Sequence, residues 1–465
     1  MARFEQASLL SGRGSRALDL EALLAQAKAQ VRRGPRLKGL TILSNGLGRD
    51  SATIIALLVQ GKLRMDGRRE PVDPSEIDFA IFSDTGHEWA YSLIARARLG
   101  ALLDAVGVAH LTLEKPTARQ YRPWLKRKGA EVERLMAAGY RGRDFTNAIK
   151  SWQRDNPQPW LDQDWEAIAA AQGRDVWEVK AERGGYHRRP PILEERDTMR
   201  WGTSFMGHAC TIGHKIDPID AFLNDWTLAT HGVGLKGQRD SWQALVKQGL
   251  AEKHRIIIGM AADEQTRIER GRKSMEAAGY KRALYPLSEM GISKDDEGKV
   301  LRDVRLNGER YNLDDIKKSG CMMCHYADLG FYWVLRQTEP KTFAQIAQYQ
   351  RRANEKAPKW SIKGVVRVTT KRDAIPRLAA LGLRAPGTPK KASRQEIEKL
   401  LHKWLDKDQA LERLAKLDPQ AVSPVFIEEL VDDWRKKNPK ATVQDVISKG
   451  YDHCGAANRC PFYRS

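Results

Sequence analysis

The chain has 465 residues, is 41% hydrophobic, and carries 79 Lys and Arg against 59 Asp and Glu, a formal charge of +20. This length predicts two or three domains, each large enough to bury a core. No run approaches 18 consecutive apolar residues and the N-terminus has no signal-peptide pattern, so we expect a cytoplasmic protein without a membrane span. The positive charge favours a polyanionic partner such as DNA or RNA.

A strand-and-helix alternation follows a predicted helical leader at residues 1–37. The predicted strands cover residues 40–44, 79–82, 110–113 and 255–260. The predicted helices include residues 52–59 and 90–105. Such an alternation is typical of a parallel sheet, so the sequence predicts an α/β fold with a doubly wound parallel sheet.

Two further regions differ from this core, which we place at residues 38–344. Residues 117–207 are rich in Trp, Tyr and Arg and are predicted to be a helical insertion whose tryptophans pack. Residues 345–465 are predicted to be a basic helical C-terminal domain with a Cys-containing tail. Within it, residues 345–400 hold 14 Lys and Arg against 4 Asp and Glu.

The segment Ser44–Ser51 reads SNGLGRDS and lies between a predicted strand and a predicted helix. Small residues let backbone N–H groups approach phosphate oxygens, and the N-terminus of a helix adds partial positive charge. The loop lacks the GK[ST] ending of a Walker A motif. A turn without a ligand is the alternative. The candidate nucleotide-binding residues are Ser44, Asn45, Gly46, Gly48, Arg49, Asp50 and Ser51.

This segment resembles the PP-loop of adenine nucleotide alpha-hydrolases, whose usual form is SGGKDS. Residues 48–51 match that form, whereas Gly46-Leu47 stands where Ser-Gly is usual. Ser44–Ser51 fits the variant S-x-G-x-G-x-x-S of phage-type members of the phosphoadenosine phosphosulfate (PAPS) reductase family. The resemblance implies a Rossmann-like, adenine nucleotide alpha-hydrolase-like fold that binds PAPS, or ATP with Mg²⁺.

Residues 82–88, FSDTGHE, resemble the F-x-D-T-G-x-E motif of the same family. The resemblance implies that four residues of this segment shape the nucleotide pocket: Asp84, Thr85, Gly86 and Glu88. Their position after a parallel strand is where a ligand crevice is expected. A turn with a helix N-cap at Asp84 or Thr85 is the alternative.

Two later segments also resemble family motifs. Residues 210–219, CTIGHKIDPI, match C-T-x-x-x-K-x-x-P-[IL], and Lys215 is the candidate for a phosphate or sulfate contact. We expect the neighbouring His214 to be an ordinary surface residue.

Residues 258–267, IGMAADEQTR, resemble G-[IV]-x-x-D-E-x-x-R. This places Gly259, Asp263 and Glu264 at the nucleotide and Arg267 at an anionic substrate. An i, i+3 ion pair between Glu264 and Arg267 is the alternative. Motifs in family order extend the resemblance over residues 38–340.

The five cysteines suggest metal or redox chemistry. Cys321 and Cys324 form a CxxC pair, and Cys454 and Cys460 form a second pair. Four thiolates can hold a [4Fe–4S] cluster or Zn²⁺, with Cys210 as an alternative ligand. A structural thiol pair is the other interpretation. The family also has a tail motif with a catalytic cysteine, to which Cys454 corresponds, although the flanking Glu and His of that motif are absent.

Basic residues with interleaved aromatic rings predict nucleic-acid contact after residue 345. The alternative is a solvated basic face. The candidates are Arg351, Arg352, Lys356, Lys359, Trp360, Lys363, Arg367, Lys371 and Arg372.

Three functions remain open from the sequence, with Asp50, Lys215, Arg267 and Cys454 as candidate catalytic residues. The first is cleavage of ATP to AMP and pyrophosphate, which activates an acceptor for sulfur transfer, as in DNA phosphorothioation or tRNA thiolation. The second is reduction of a sulfonucleotide (PAPS or APS) by a thiolate. The third is a nucleic-acid-binding protein without catalysis. The enzyme hypotheses also predict a sulfur donor or a thiol reductant protein as a partner.

Overall fold

The computed structural model describes most of the chain from residue 36 onward. The described residues are 36–140, 142–199, 212–231, 240–316, 322, 329–356, 366–367, 371–405, 407–418, 423–424 and 426–448.

Five strands form a parallel central sheet. They are β1 (Thr41–Ser44), β2 (Phe79–Ser83), β3 (His110–Leu113), β4 (His254–Ile258) and β5 (Lys281–Leu284). Their spatial order is β3-β2-β1-β4-β5, and every neighbouring pair is parallel. The predicted α/β class with a parallel sheet is therefore confirmed, and it is consistent with a Rossmann-like arrangement.

Alternate residues of the strands pack on opposite sides of the sheet. Leu43 of β1 and Ile257 of β4 belong to one buried cluster, whereas Ile42 and Ile256 belong to another. The first cluster includes helix α1 (Arg49–Val59) and helix α2 (Ala90–Ala105). Both faces are covered at these positions, so β1 and β4 each place apolar side chains on both sides of the sheet, as buried parallel strands usually do.

The helices that follow β3 form two groups, one within the insertion and one after it. Those of the insertion are α3 (Ala118–Ala137), α4 (Gly142–Asp155), α5 (Trp165–Gln172), α6 (Val176–Glu182) and α7 (Ile192–Met199). Those that follow a π-helical turn at Ile212–Ile216 are α8 (Asp217–His231), α9 (Asp240–Lys247), α10 (Gln265–Ala278), α11 (Pro286–Glu289) and α12 (Lys294–Arg302). A short antiparallel hairpin, β6 (Val304–Leu306) and β7 (Glu309–Tyr311), comes next.

Three tryptophans of the insertion are packing residues, as predicted. Trp124, Trp160 and Trp165 are buried. The rings of Trp124 and Trp160 meet edge to face, with their centroids 5.5 Å apart. Such a contact buries large apolar area and fixes the relative position of the segments that carry the two rings.

The C-terminal region is helical. Its elements are α13 (Leu329–Thr338), α14 (Pro340–Lys356), β8 (Val366–Arg367), α15 (Lys371–Ala380), α16 (Arg394–Trp404), α17 (Lys407–Leu417), β9 (Ser423–Pro424), α18 (Ile427–Lys437) and α19 (Val443–Ser448). The boundary predicted between residues 344 and 345 lies inside α14. Within the described part of the chain, no helix has the length and apolar character that crossing a membrane requires.

Candidate nucleotide site

The loops that follow β1, β2, β3 and β4 lie along one edge of the sheet. Parallel strands all point the same way, so their carboxyl ends meet there. β1 lies between β2 and β4. The predicted segments Ser44–Ser51, residues 82–88 and residues 258–267 therefore converge at this edge, in spite of their separation along the chain.

The loop after β1 has a constrained backbone. Leu47 is fully buried and has a positive φ of 54°, which is uncommon for a residue other than glycine. The side chain of Asn45 supports this turn, because its Oδ1 accepts a hydrogen bond from the Leu47 N–H at 3.0 Å. Ser51 Oγ donates to the carbonyl of Gly48 at 3.1 Å. Strained backbone of this kind is characteristic of functional loops.

Gly259 brings the loop after β4 against the start of α1. A Cβ at this position would lie 2.8 Å from Asp50 Cβ and 3.0 Å from the backbone N of Ser51. No side chain fits at these distances, so the close approach requires glycine. This contact joins two of the segments that the sequence assigned to the nucleotide.

The first turn of α1 faces a buried carboxyl group from α12. Glu297 is 1% exposed, and burial, together with the charge of nearby Asp50, raises the pKa of its carboxyl to about 9. The carboxyl pair of Glu297 and Asp50 therefore holds a proton more tightly than two free carboxyls do. Arg49 Nη2 donates to Asp314 Oδ1 at 2.7 Å, and Arg49 Nε lies 3.6 Å from Glu297 Oε2. The positive charge that we expected to meet phosphate is already paired within the protein.

The loop after β4 contains a second charged group. Arg267 Nη1 donates to Glu264 Oε1 at 2.7 Å, so the i, i+3 ion pair named as the alternative is formed. Lys294, at the start of α12, also approaches Glu264 Oε1, at 3.4 Å. The charges of Glu264 and Asp50 raise the pKa of Lys294, against the effect of burial. Sequence reasoning missed Lys294, because no motif includes it and only the fold brings α12 to this edge.

The loop after β2 is closed by its own side chains. The Gly86 N–H donates to Asp84 Oδ1 at 2.7 Å, and Thr85 Oγ1 donates to Glu88 Oε1 at 2.8 Å. Burial raises the pKa of Glu88, against the positive charge of Lys215. The alternative of a helix cap at Asp84 or Thr85 is wrong, because α2 begins later, after Trp89, whose side chain makes no capping bond.

The helical insertion packs directly on this loop. The Ile192 N–H, at the start of α7, donates to the Thr85 carbonyl at 3.2 Å. Gly86 has a φ of +81°, and a Cβ there would lie 2.7 Å from Pro191 Cβ. The insertion thus forms a wall on the β2–β3 side of the candidate nucleotide site.

A buried lysine lies beside this wall. Lys115 follows β3, and its Nζ is 2.9 Å from Nδ1 of both His187 and His214 and 3.2 Å from the Arg189 carbonyl. An ammonium group has three protons and can satisfy all three acceptors. This assignment requires both histidines to be neutral, with their protons on Nε2.

The other ring nitrogens agree with that assignment. His187 Nε2 lies 2.8 Å from the Leu113 carbonyl, and His214 Nε2 lies 3.3 Å from Glu195 Oε2. Lys128 Nζ approaches the other oxygen of Glu195 at 3.8 Å. We call Lys115, Lys128, His187, Glu195 and His214 the buried network.

Burial and charge determine which members of the buried network are ionised. Burial lowers the pKa of Lys115 to about 7, even though Asp84 and Glu195 favour its charged form. Burial also lowers the pKa of His214 to about 3. For Glu195, the His214 hydrogen bond and nearby cations outweigh burial and bring the pKa to about 2. The expectation that His214 is a surface residue was wrong, since it is 2% exposed.

Several predicted residues lie outside the described residues. These are Cys210, Cys321, Cys324, Cys454 and Cys460, together with Lys359, Trp360 and Lys363. Among the residues that are described, no group of three His, Cys, Asp or Glu side chains is placed to hold a metal ion. The predicted [4Fe–4S] or Zn²⁺ site stays a prediction.

Two of the remaining nucleic-acid candidates, Arg351 and Arg352, are paired with carboxylates of the chain. Arg351 pairs with Glu428, and its guanidinium lies 5.8 Å from the ring centroid of Phe426. Arg352 Nη1 pairs with Asp197 Oδ2 of α7 at 2.6 Å. Lys356 ends α14, Arg367 ends β8, and Lys371 and Arg372 begin α15. The two arginines bind other parts of the chain, which accounts for their charge without a polyanion.

Comparisons of the chain with protein-family models, with curated proteins and with solved structures give no match.

Proposed function

We propose that this chain is a PP-loop enzyme that binds an adenine nucleotide at Ser44–Ser51. The observation that carries the proposal is the position of this loop at the carboxyl edge of β1, in contact with Gly259 after β4. In open parallel sheets ligands bind at this edge. The resemblance of the same residues to the PP-loop of the PAPS reductase family supports an adenine nucleotide as the ligand.

The reaction that we propose is cleavage of ATP between its α- and β-phosphates. An acceptor oxygen attacks the α-phosphorus, the bond to the bridging oxygen breaks, and pyrophosphate leaves with that electron pair. The acceptor becomes adenylated, and a sulfur nucleophile can then displace AMP. Cations at the site stabilise the charge that develops on pyrophosphate.

We assign phosphate binding to one group of residues and stabilisation of the leaving pyrophosphate to another. Backbone N–H groups in the first turn of α1 suit the phosphates, because the N-terminus of a helix carries partial positive charge. Lys294 and Arg267 supply positive charge on the β4 side, next to Glu264. Lys215, near Glu88, supplies it on the β2 side. The acceptor that we propose is nucleic acid, consistent with the charge of +20.

The deciding experiment is anaerobic incubation of the purified protein with labelled ATP and, separately, with labelled PAPS, each with and without nucleic acid. Release of AMP and pyrophosphate, enhanced by nucleic acid, supports the proposal. Sulfite released from PAPS with a thiol donor instead identifies a sulfonucleotide reductase. No turnover of either nucleotide leaves a nucleic-acid-binding protein as the remaining hypothesis.

Two variants make this assay specific for the site. Asp50→Asn should lower ATP turnover roughly 100-fold or more if the start of α1 organises the charged groups of the transition state. Asp66→Asn is the matched control, since Asp66 pairs with Arg282 away from the loop and asparagine tolerates its positive φ. Equal turnover by both variants would contradict the assignment of the site.

A further inference from the structure

A cavity of about 440 Å³ lies on the C-terminal helices. It is lined by Trp404 and Leu405 at the end of α16 and by three residues of α17. The three are Gln409, Arg413 and Lys416. They are spaced by four and three residues, so they lie on one face of α17.

Trp404 differs from the other tryptophans whose side chains the structure describes. It is 39% exposed, whereas the rest are buried or partly buried. Leu405 beside it is 2% exposed and belongs, with Leu401 and Leu414, to the core that holds α15, α16 and α17 together. That core supports the three helices without the Trp404 ring, so stability alone does not explain the exposed ring.

The chemistry of the lining fits one nucleotide unit. An indole face stacks on a nucleobase, an amide can hydrogen-bond to base edges, and Arg and Lys attract the adjoining phosphates. Residues 371–418, which contain α15–α17, carry 12 Lys and Arg against 7 Asp and Glu, a net charge of +5. An anionic ligand is therefore favoured over a neutral apolar one.

We propose that the cavity at Trp404, Arg413 and Lys416 binds single-stranded nucleic acid by stacking one unpaired base on the indole. A base must leave its duplex to present a free face, so a single strand fits and an intact duplex does not. None of these three residues is among those that the sequence pattern selected. This inference rests on the proposed function, because the strand bound in the cavity would be the acceptor of the proposed reaction.

The test is fluorescence anisotropy of a labelled 15-nucleotide oligo-dT, an oligo-U of equal length and a 15-bp duplex, with the full chain and no ATP. Trp404→Ala should weaken binding of the single strands at least fivefold, since stacking is worth about 1–3 kcal/mol per base. Trp404→Phe keeps a ring and should stay within about threefold of wild type. The two oligonucleotides distinguish DNA from RNA as the source of the base.

Charge variants separate stacking from general attraction. Arg413→Gln should weaken binding and lower the slope of log K against log salt by about 0.7. Lys399→Gln, an exposed lysine of α16 outside the cavity, removes the same charge and should leave Trp404-dependent binding intact. Thermal melts by circular dichroism check that each variant folds.

Several results would overturn the inference. One is that Trp404→Ala and wild type bind the single strands equally well. Another is that the duplex binds as tightly as the single strands. The third is that polyglutamate displaces the labelled oligonucleotide as effectively as an unlabelled single strand does. Because the binding test contains no ATP, none of these results would contradict the proposed cleavage of ATP. Conversely, failure to cleave ATP with intact Trp404-dependent binding would remove the proposed reaction and keep this site.

Discussion

The amine of Lys115 lies 2.9 Å from Nδ1 of His214, and the opposite nitrogen of that ring faces Glu195 at 3.3 Å. Lys115 follows β3, His214 precedes α8, and Glu195 belongs to the insertion. The contact therefore joins three distant parts of the chain beside Asp84. Buried polar groups that are all paired hold their elements in one arrangement, and loss of one partner is costly.

The stability of the protein should depend on Lys115 in alkaline solution. Its pKa is about 7 in the folded protein, below the ordinary value of 10.5, because of burial. Between these values the unfolded chain binds more protons, so this residue makes the folded state more stable as pH rises. Lys115→Met should remove that rise. Urea unfolding at pH 6.5, 8 and 9.5 measures it, and the stability of wild type relative to the variant should increase with pH.

The difference between wild type and Lys115→Met should isolate Lys115, because Lys128, whose pKa burial also lowers, is present in both proteins. His214 has a pKa of about 3 and Glu195 one of about 2, so neither changes charge there. Lys62→Met, which removes an exposed lysine, is the control and should show no such trend. A pH-independent difference between wild type and Lys115→Met would contradict the assignment.

Glu297 should have the opposite effect. Burial and the charge of Asp50 raise its pKa from 4.5 to about 9, so the folded state binds the extra proton between these values. Its contribution to stability therefore falls as pH rises through this window. Glu297→Gln stays neutral at every pH. The stability of this variant relative to wild type should therefore be greater at pH 9 than at pH 5. Thermal melts across this range measure the difference, with the exposed Glu276→Gln as the control.

Gly259 should not tolerate alanine. The added Cβ would lie 2.8 Å from Asp50 Cβ and 3.0 Å from the Ser51 backbone N, so α1 or the loop must move. We expect a loss of about 1–3 kcal/mol in the free energy of unfolding, typical of overpacking, together with weaker ATP binding. Chemical unfolding and calorimetric titration with ATP test both effects.

Gly129→Ala is the matched control for Gly259→Ala. Gly129 lies within helix α3. A Cβ added there would lie 3.5 Å from Thr198 Cγ2, which is an ordinary van der Waals contact. Alanine is favoured over glycine in helices by roughly 0.5–1 kcal/mol, so this variant should be as stable as wild type or more stable. If both variants bound ATP normally, the close approach at Gly259 would have no role in the nucleotide site.

The ion pair between Arg352 and Asp197 should contribute little to stability. Both side chains are partly exposed, at 41% and 33%. A double-mutant cycle with Arg352→Gln and Asp197→Asn should give a coupling of about 0.2–1 kcal/mol. Because Arg352 is paired, its removal should change oligonucleotide affinity less than Arg413→Gln does. A larger loss for Arg352→Gln would support the contact surface predicted from the sequence.

Local patterns in the sequence were sufficient for four of the five sheet strands, whereas β5 (Lys281–Leu284), which begins with two cationic residues, was missed. Runs such as Leu40–Ser44 and residues 255–260 are mostly apolar, which is typical of strands covered on both faces. The structure has β1 and β4 at these places, within two residues at each end. The packing of Trp124 and Trp160 was also predictable, since large rings in a helical segment usually lie inside.

The surroundings of the polar residues were not predictable in the same way. No sequence spacing relates Lys115 to His187 and His214, which are 72 and 99 residues away, or Asp50 to Glu297. His214 was expected to be an ordinary surface residue, and its burial depends on contacts with Lys115 and Glu195 from distant parts of the chain.

The sequence by itself determined four strands of the sheet, helices α1 and α2 and the position of the loop Ser44–Ser51, because backbone propensity and apolar periodicity act over a few neighbouring residues. The tertiary structure decided which charges are paired, which are buried and which pKa values shift. Arg49 and Arg267 are paired with carboxylates, Lys115 is enclosed, and Trp404 is left exposed beside Arg413. These properties depend on burial and on distances of a few ångströms between residues that only the folded chain brings together.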